Sequence, residues 1–167
     1  MPLAFRPASA ADIPLLRSLA DRIWRASYPA MITLDQIEYM LDWMYSAEKI
    51  AEELAHGVHW EIALLEDDPA GFLSLTYHSA ILAELNKLYL LPELQGRGLG
   101  QAMLARAGQC AVARGCTELR LRVNKRNLRA LRSYDRAGFR IVDNVVADIG
   151  GGYVMDDYIL SRPLSAS

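Results

Sequence analysis

Apolar positions along the chain keep a helical period at first, switch to alternation, and then pass back and forth between the two. Residues 3–7 predict a short strand. Ser9 to Asp12 supply helix-cap chemistry, and Pro14 suits a first helical turn. Leu15, Leu16, Leu19, Ile23 and Trp24 then recur at helical spacing up to Tyr28-Pro29. Thr33 or Asp35 caps a second helix striped by Ile37, Met40, Leu41 and Met44, and residues 47–54 continue helically to a stop at Gly57. Residues 59–66 predict a strand, Asp67 to Ala70 a hairpin turn, and 71–78 the returning strand. A further strand over 83–91 stops at Pro92. The face Leu99, Met103, Ala107 and Cys110 predicts a helix capped by Gly115. Beyond it come a strand over 119–123, a helix over 128–137 ended by Gly138, strands over 140–146 and 153–160 around a glycine turn, and a frayed tail from Arg162.

This order is strand, two helices, three strands, helix, strand, helix, two strands. It predicts a mixed α/β (α+β) domain spanning residues 1–167. Helices would return to a largely antiparallel sheet.

One junction carries chemistry. The strand before Pro92 leads to Gln95-Gly96-Arg97-Gly98-Leu99-Gly100, and a helix starts there. A strand, a glycine turn and a helix start aim unpaired backbone N–H groups and the positive end of a helix dipole at an anion. Glycines let the ligand come close and tolerate positive φ. A pyrophosphate is the expected occupant. Gln101 stands where a dinucleotide fingerprint needs its last glycine, and the Gly-Lys-Ser/Thr of a nucleoside-triphosphate loop is absent.

The hexapeptide resembles the acetyl-CoA loop of the GNAT superfamily of N-acetyltransferases, Gln/Arg-x-x-Gly-x-Gly/Ala. A second stretch, Asn124, Asn127, Ala130, Tyr134, Gly138 and Phe139, looks like that family's Asn-x-x-Ala-x-x-x-Tyr-x-x-x-Gly-Phe helix. The order of elements is similar over essentially the whole chain. The early aromatic residues and Asp156-Asp157-Tyr158 look like the small-amine and polyamine branch.

The resemblance implies a splayed strand pair holding acetyl-CoA, and a transfer of acetyl to an amine in a ternary complex. It assigns the pyrophosphate to the backbone from Gln95 through Gly96, Arg97, Gly98 and Leu99 to Gly100. Arg97 adds a side-chain charge. The pantetheine arm falls to the strand residues Leu88, Tyr89 and Leu90, and to Asn127, which is equally an ordinary helix N-cap. The N–H of Leu88 is the implied oxyanion donor and Tyr134 the general acid for the departing thiolate. Tyr134 lies two turns beyond Asn127 on one helix face, and its ordinary pKa of about 10 suits a donor to a thiolate. Glu84 matches the catalytic glutamate of histone-type members by its spacing to Gln95. It lies four strand residues, about 13 Å, from Leu88, so a water ordered by Asn86 on the same face would have to relay the proton. Asp156, Asp157, Tyr158 and His78 are rival acceptors or anchors.

The remaining composition narrows the class. Net charge is −2, so nucleic acid is not an expected partner. No run approaches the roughly 20 apolar residues of a bilayer span, and residues 1–10 carry no signal-peptide pattern. Cytoplasmic residence is expected. Cys110 and Cys116 are expected to be two buried thiols rather than a disulfide or metal pair. No metal is expected. Neither cysteine stands near the strand wedge, and no Ser/His/Asp set occurs, so no acyl-enzyme is expected. The acids Glu38, Asp42, Glu84, Asp156 and Asp157, if they converge, favour a cationic small amine, and Trp24, Tyr28, Trp43 and Tyr45 either stack on it or form core. A peptide or protein acetyltransferase and a non-catalytic acyl-CoA sensor are the alternatives. The last strands offer an edge at which two chains could form a homodimer.

Overall fold

The computed structural model describes residues 2–165. Seven strands form one sheet: β1 (Leu3–Pro7), β2 (His59–Leu65), β3 (Asp68–Tyr77), β4 (Leu82–Leu90), β5 (Glu118–Asn124), β6 (Arg140–Gly150) and β7 (Tyr153–Pro163). Their order is β1-β2-β3-β4-β5-β7-β6, and only β4 and β5 run parallel. The helices are α1 (Ile13–Ser27), α2 (Leu34–Tyr45), α3 (Ala47–Ala55), α4 (Leu99–Ala113) and α5 (Leu128–Arg136). The mixed, largely antiparallel sheet flanked by helices agrees with the sequence pattern.

Each sheet face is covered by apolar stripes that the periodicity marked. Leu16, Ile23, Ile37 and Ile50 from α1, α2 and α3 meet Trp60, Ile62 and Phe72 on one face. Leu104, Ala107 and Ala111 of α4 meet Leu73, Leu75, Leu119 and Leu121 on the other. Among the described residues no helix is long and apolar enough to cross a membrane.

Three boundaries differ from the pattern. Ser46 breaks the second helical stretch: its backbone is extended and its side chain accepts from the Lys49 N–H, capping α3. The hairpin between β2 and β3 turns at Glu66 and Asp67, both at positive φ, which is the two-residue turn matching strand twist. Pro69 therefore lies within β3, beside a bulge between Ala63 and Leu64. Finally, Arg162 is no frayed tail. It pairs with Leu119 in the sheet, and its guanidinium donates to the Ala137 carbonyl. Residues 166 and 167 lie outside the described residues. β1 and β6 are the two edge strands of the sheet, and β6 exposes Ile141, Val142 and Val146.

A charge-paired brace ties β2 to α4. Glu61 is 1% exposed, accepts from Arg106 through both oxygens at 2.8 and 2.9 Å, and meets His59 Nε2 at 2.8 Å. Cys110 Sγ lies 3.7 Å from the same carboxylate. Cys110 and Cys116 are both free thiols and Cys116 is buried, as expected, whereas Cys110 is only half-buried. His59, Glu61 and Cys110 could geometrically surround a metal, but Arg106 already occupies the carboxylate with two nitrogens. Hydrogen bonding with Cys110 and with Glu61 raises His59 to about 9. Burial works against the Glu61 charge, yet the Arg106 and His59 hydrogen bonds outweigh it and hold Glu61 at about 2.

The linked stability has two limbs. The His59 contribution is complete below its ordinary 6.5 and is lost as pH rises through about 9. The Glu61 contribution is complete above its ordinary 4.5 and is lost as pH falls toward about 2. Glu61→Gln is expected to flatten the melting temperature on both sides of that window, and to cost on the order of 2 kcal/mol at its centre by leaving Arg106 unpaired. Thermal melts across pH check both.

Candidate active site

The parallel pairing of β4 with β5 covers only Leu82 to Leu85 against Glu118 to Leu121. Beyond it the strands diverge, because β4 stays with β3 and β5 with β7. At the divergence β4 carries a bulge: Ser74 faces Lys87 while Leu75 faces Leu85, leaving Asn86 as the extra residue. The alternation therefore slips by one. Ala83, Leu85 and Leu88 pack beneath α4 and α5, whereas Tyr89 packs against α1 and Lys87 lies over Trp60 and Tyr45. The expectation that Glu84, Asn86 and Leu88 share one face is corrected by this slip. Gly71 opposite has no Cβ because one would overlap the Tyr89 carbonyl oxygen.

The wedge opens onto the glycine loop. Gly96 and Gly98 have φ of +82° and +78°, conformations that favour glycine. Gly98 is the N-cap of α4 and offers no side-chain cap, so the N–H groups of Leu99, Gly100 and Gln101 have no intrahelical acceptor. A Cβ on Gly98 or Gly100 would meet nothing within 4 Å: the space in front of these donors is open, as an anion requires. The Gln95 N–H is taken up by the Pro92 carbonyl, and the Gln95 side chain donates to the Leu90 carbonyl at 3.2 Å, clamping loop to strand. The Arg97 side chain does not line the cavity, and that of Leu99 packs with Met103 and Leu90. Arg129, which the sequence reading passed over, brings Nη2 within 3.8 Å of the Cβ position of Gly96 and supplies the nearby cation.

One cavity of about 1170 Å³ runs from this loop, through the wedge, to a chamber under α1 and α2. It brings together Gln95, Gly96, Gly98 and Gly100 with Leu88, Tyr89 and Leu90, and with Asn127, Tyr134 and Glu84. Asn127 caps α5 by accepting from the Ala130 N–H at 3.2 Å. Gln101 reaches across to the Ser133 carbonyl and hydroxyl, both at 2.9 Å, fixing α5 against α4 at the wedge. The Tyr134 ring packs edge-on to Phe139. Burial, with a smaller contribution from Tyr28, pushes the Tyr134 phenol well above its ordinary value, so it carries its proton at neutral pH.

The profile of the Acetyltransferase (GNAT) family matches residues 18–139. The chain belongs to the GNAT acetyltransferase family. It is similar to a spermidine N(1)-acetyltransferase of Thermoplasma acidophilum, 28% identical over 153 residues that cover 89% of this chain and 94% of that protein. The crystal structure of PaiA N-acetyltransferase from Thermoplasma acidophilum in complex with coenzyme A superposes with a TM-score of 0.84 at 26% identity, covering 98% of this chain and 99% of that one. A GCN5-related N-acetyltransferase from Rhodopseudomonas palustris shares the fold, with a TM-score of 0.83 at 21% identity over 98% and 97% of the two chains. This GNAT chain is an N-acetyltransferase whose cosubstrate is acetyl-CoA.

The chamber corrects the charge count. Of the five acids expected to converge, only Glu84 and Asp157 line it. Glu38 is paired with Arg25 and Asp156 with Lys125, both at the surface. Glu53, Lys49 and Lys87 line it instead. Lys87 is buried beside Glu53, which is 3.8 Å away, and burial lowers its pKa. Its sequence signal was a lysine among the leucines and tyrosine in the second half of β4. The early aromatics divide. Trp24 and Tyr45 are buried core, joined by a hydrogen bond from the Trp24 indole to the Tyr45 hydroxyl. Trp24, Tyr28 and Trp43 also face the cavity. Glu84 is bound to His78 at 2.7 Å, which turns it toward the sheet rim.

Proposed function

We propose that this GNAT chain moves acetyl from acetyl-CoA to a small primary amine by direct transfer in a ternary complex. One observation carries the reading: a single cavity joins the open N–H donors at Gly98 to the strand wedge, to Tyr134 and to an aromatic chamber. In this reading the loop from Gln95 to Gly100 and Arg129 hold the pyrophosphate, and Leu88 to Leu90 with Asn127 hold the pantetheine arm. The Leu88 N–H polarises the thioester carbonyl, and Tyr134 gives its proton to the departing sulfur. Glu84, bound to His78 and beyond the bulge from Leu88, acts through water at most.

A small acceptor suits the chamber better than a peptide. Arg126 donates to the Met31 carbonyl at 3.2 Å, the Tyr39 hydroxyl to the Ile149 carbonyl at 2.6 Å, and Gln36 to the Val154 carbonyl at 3.4 Å. These bonds draw the α1–α2 segment down onto the β5–α5 loop and the β6–β7 hairpin, over the ground a peptide would cross. The spermidine-acetylating relative makes polyamines the first class to try. Free-thiol release from acetyl-CoA is expected with polyamines or other small primary amines and not with lysine peptides. Turnover on peptides alone would overturn the small-amine reading. Binding of acetyl-CoA without turnover of any amine would favour the sensor.

A further inference from the structure

Asp157 is a buried carboxylate in the cavity that no hydrogen bond or ion pair among the described residues explains. It sits on β7 at the divergent end of the sheet, opposite Asn124 of β5, and lines the chamber. It is 2% exposed, and its Oδ1 is enclosed with no hydrogen-bond partner. A buried carboxylate without a partner is costly, and such groups are retained where a ligand completes them. The other acids of the chamber are already paired, Glu53 with Lys87 and Glu84 with His78. Tyr28 feels the Asp157 charge and its hydroxyl meets that of Tyr89 at 3.4 Å, while Tyr134 lines the same cavity.

We propose that Asp157 is the site for the acceptor's reacting ammonium and the group that takes its proton. This rests on the acetyl-transfer reading above. The ligand is a primary aliphatic ammonium on an apolar stem, because the cavity that Asp157 lines is walled also by Trp24, Met31, Ile32, Met40 and Met155. The ammonium passes one proton to the Asp157 carboxylate. Its freed lone pair forms the N–C bond at the thioester carbonyl while the C–S bond breaks. The sulfur takes the Tyr134 proton, Tyr134 regains one from the nitrogen, and Asp157 returns its own to water. The sum is ammonium plus acetyl-CoA giving amide, coenzyme A thiol and one proton.

Burial raises the Asp157 pKa, opposed by Arg122 of β5 and Lys125 and reinforced by Asp156. From α1, Tyr28 feels the same charge. A raised carboxylate pKa means that the folded protein is destabilised as pH rises through it. Asp157→Asn is therefore expected to melt at the same temperature as the wild type or higher above neutral pH. Calorimetric titration of spermidine and of butylamine into the complex with coenzyme A should show affinity falling about 100-fold in the variant, with coenzyme A binding unchanged. With whichever amine turns over, wild-type kcat/KM should be level between about pH 7 and 9, where the amine is still charged. The variant's should rise about tenfold per pH unit, following the free amine. Equal amine affinity in the variant, a level variant profile, or a melting temperature well below wild type would each overturn the assignment. If the wild type turns over no amine, the transfer reading fails, and the titration still reads the ammonium site by itself.

Discussion

Gly98→Glu is expected to remove acetyl-CoA binding, with affinity falling at least about 100-fold, or roughly 2.7 kcal/mol. Two effects add. Gly98 sits at φ +78°, where an L side chain costs about 1–2 kcal/mol, so the turn that aims the α4 donors is pulled out of shape. The new side chain also grows into open space, since a Cβ there meets nothing within 4 Å. That space adjoins the N-terminus of α4, where the Leu99, Gly100 and Gln101 N–H groups lack an intrahelical acceptor. A carboxylate placed there occupies the helix dipole and competes for Arg129. Gly98→Ala carries the strain without the charge and should lose no more than about tenfold. Equilibrium titration of acetyl-CoA separates the two variants, and unaltered affinity in Gly98→Glu would remove the loop from the cofactor site.

Tyr134→Phe is expected to lower kcat by about 100- to 1,000-fold while changing acetyl-CoA affinity by less than about threefold. The ring stays, so its packing against Phe139 and the cavity wall persist. Only the hydroxyl goes. Its proton is held through neutral pH because burial disfavours the phenolate. Burial in the same wedge disfavours the departing thiolate as well, which keeps the sulfur a competent acceptor of that proton. Single-turnover kinetics with saturating acetyl-CoA read the chemical step directly, and an unchanged rate would take the acid role from Tyr134.

The glycine loop proposed to hold the cofactor was legible in the sequence because it is built from local chemistry. A strand, a proline stop, glycines at alternate positions and a helix start fix an anion-binding turn within about a dozen residues. The Asn127 and Tyr134 pair is fixed in the same way, by two turns of one helix. The acceptor half was not legible in that sense. A cationic acceptor followed from five acids only if they converged, and the fold sends Glu38 to Arg25 and Asp156 to Lys125. Asp157, next to Asp156 in sequence, turns inward because neighbouring strand residues point to opposite faces. A charge count along a chain cannot see that division.

The bulge gives the same lesson. Read as plain alternation, β4 puts Lys87 with Leu85. The extra residue at Asn86 reverses the faces, sending Lys87 toward Trp60 and Tyr45 and Leu88 toward α4.

By itself the sequence determined the strand order along the chain and its helices apart from the break at Ser46, the mixed and largely antiparallel sheet, the glycine loop and its helix, because each depends on neighbours within a few residues. The tertiary structure decided where β4 and β5 part, which acid is buried without a partner, and which segments close over the chamber. Those depend on contacts between residues far apart, such as Arg126 with Met31 and Tyr39 with Ile149. Burial and pairing are properties of the packed chain, and it is packing that leaves Asp157 as a buried carboxylate with an unpartnered oxygen.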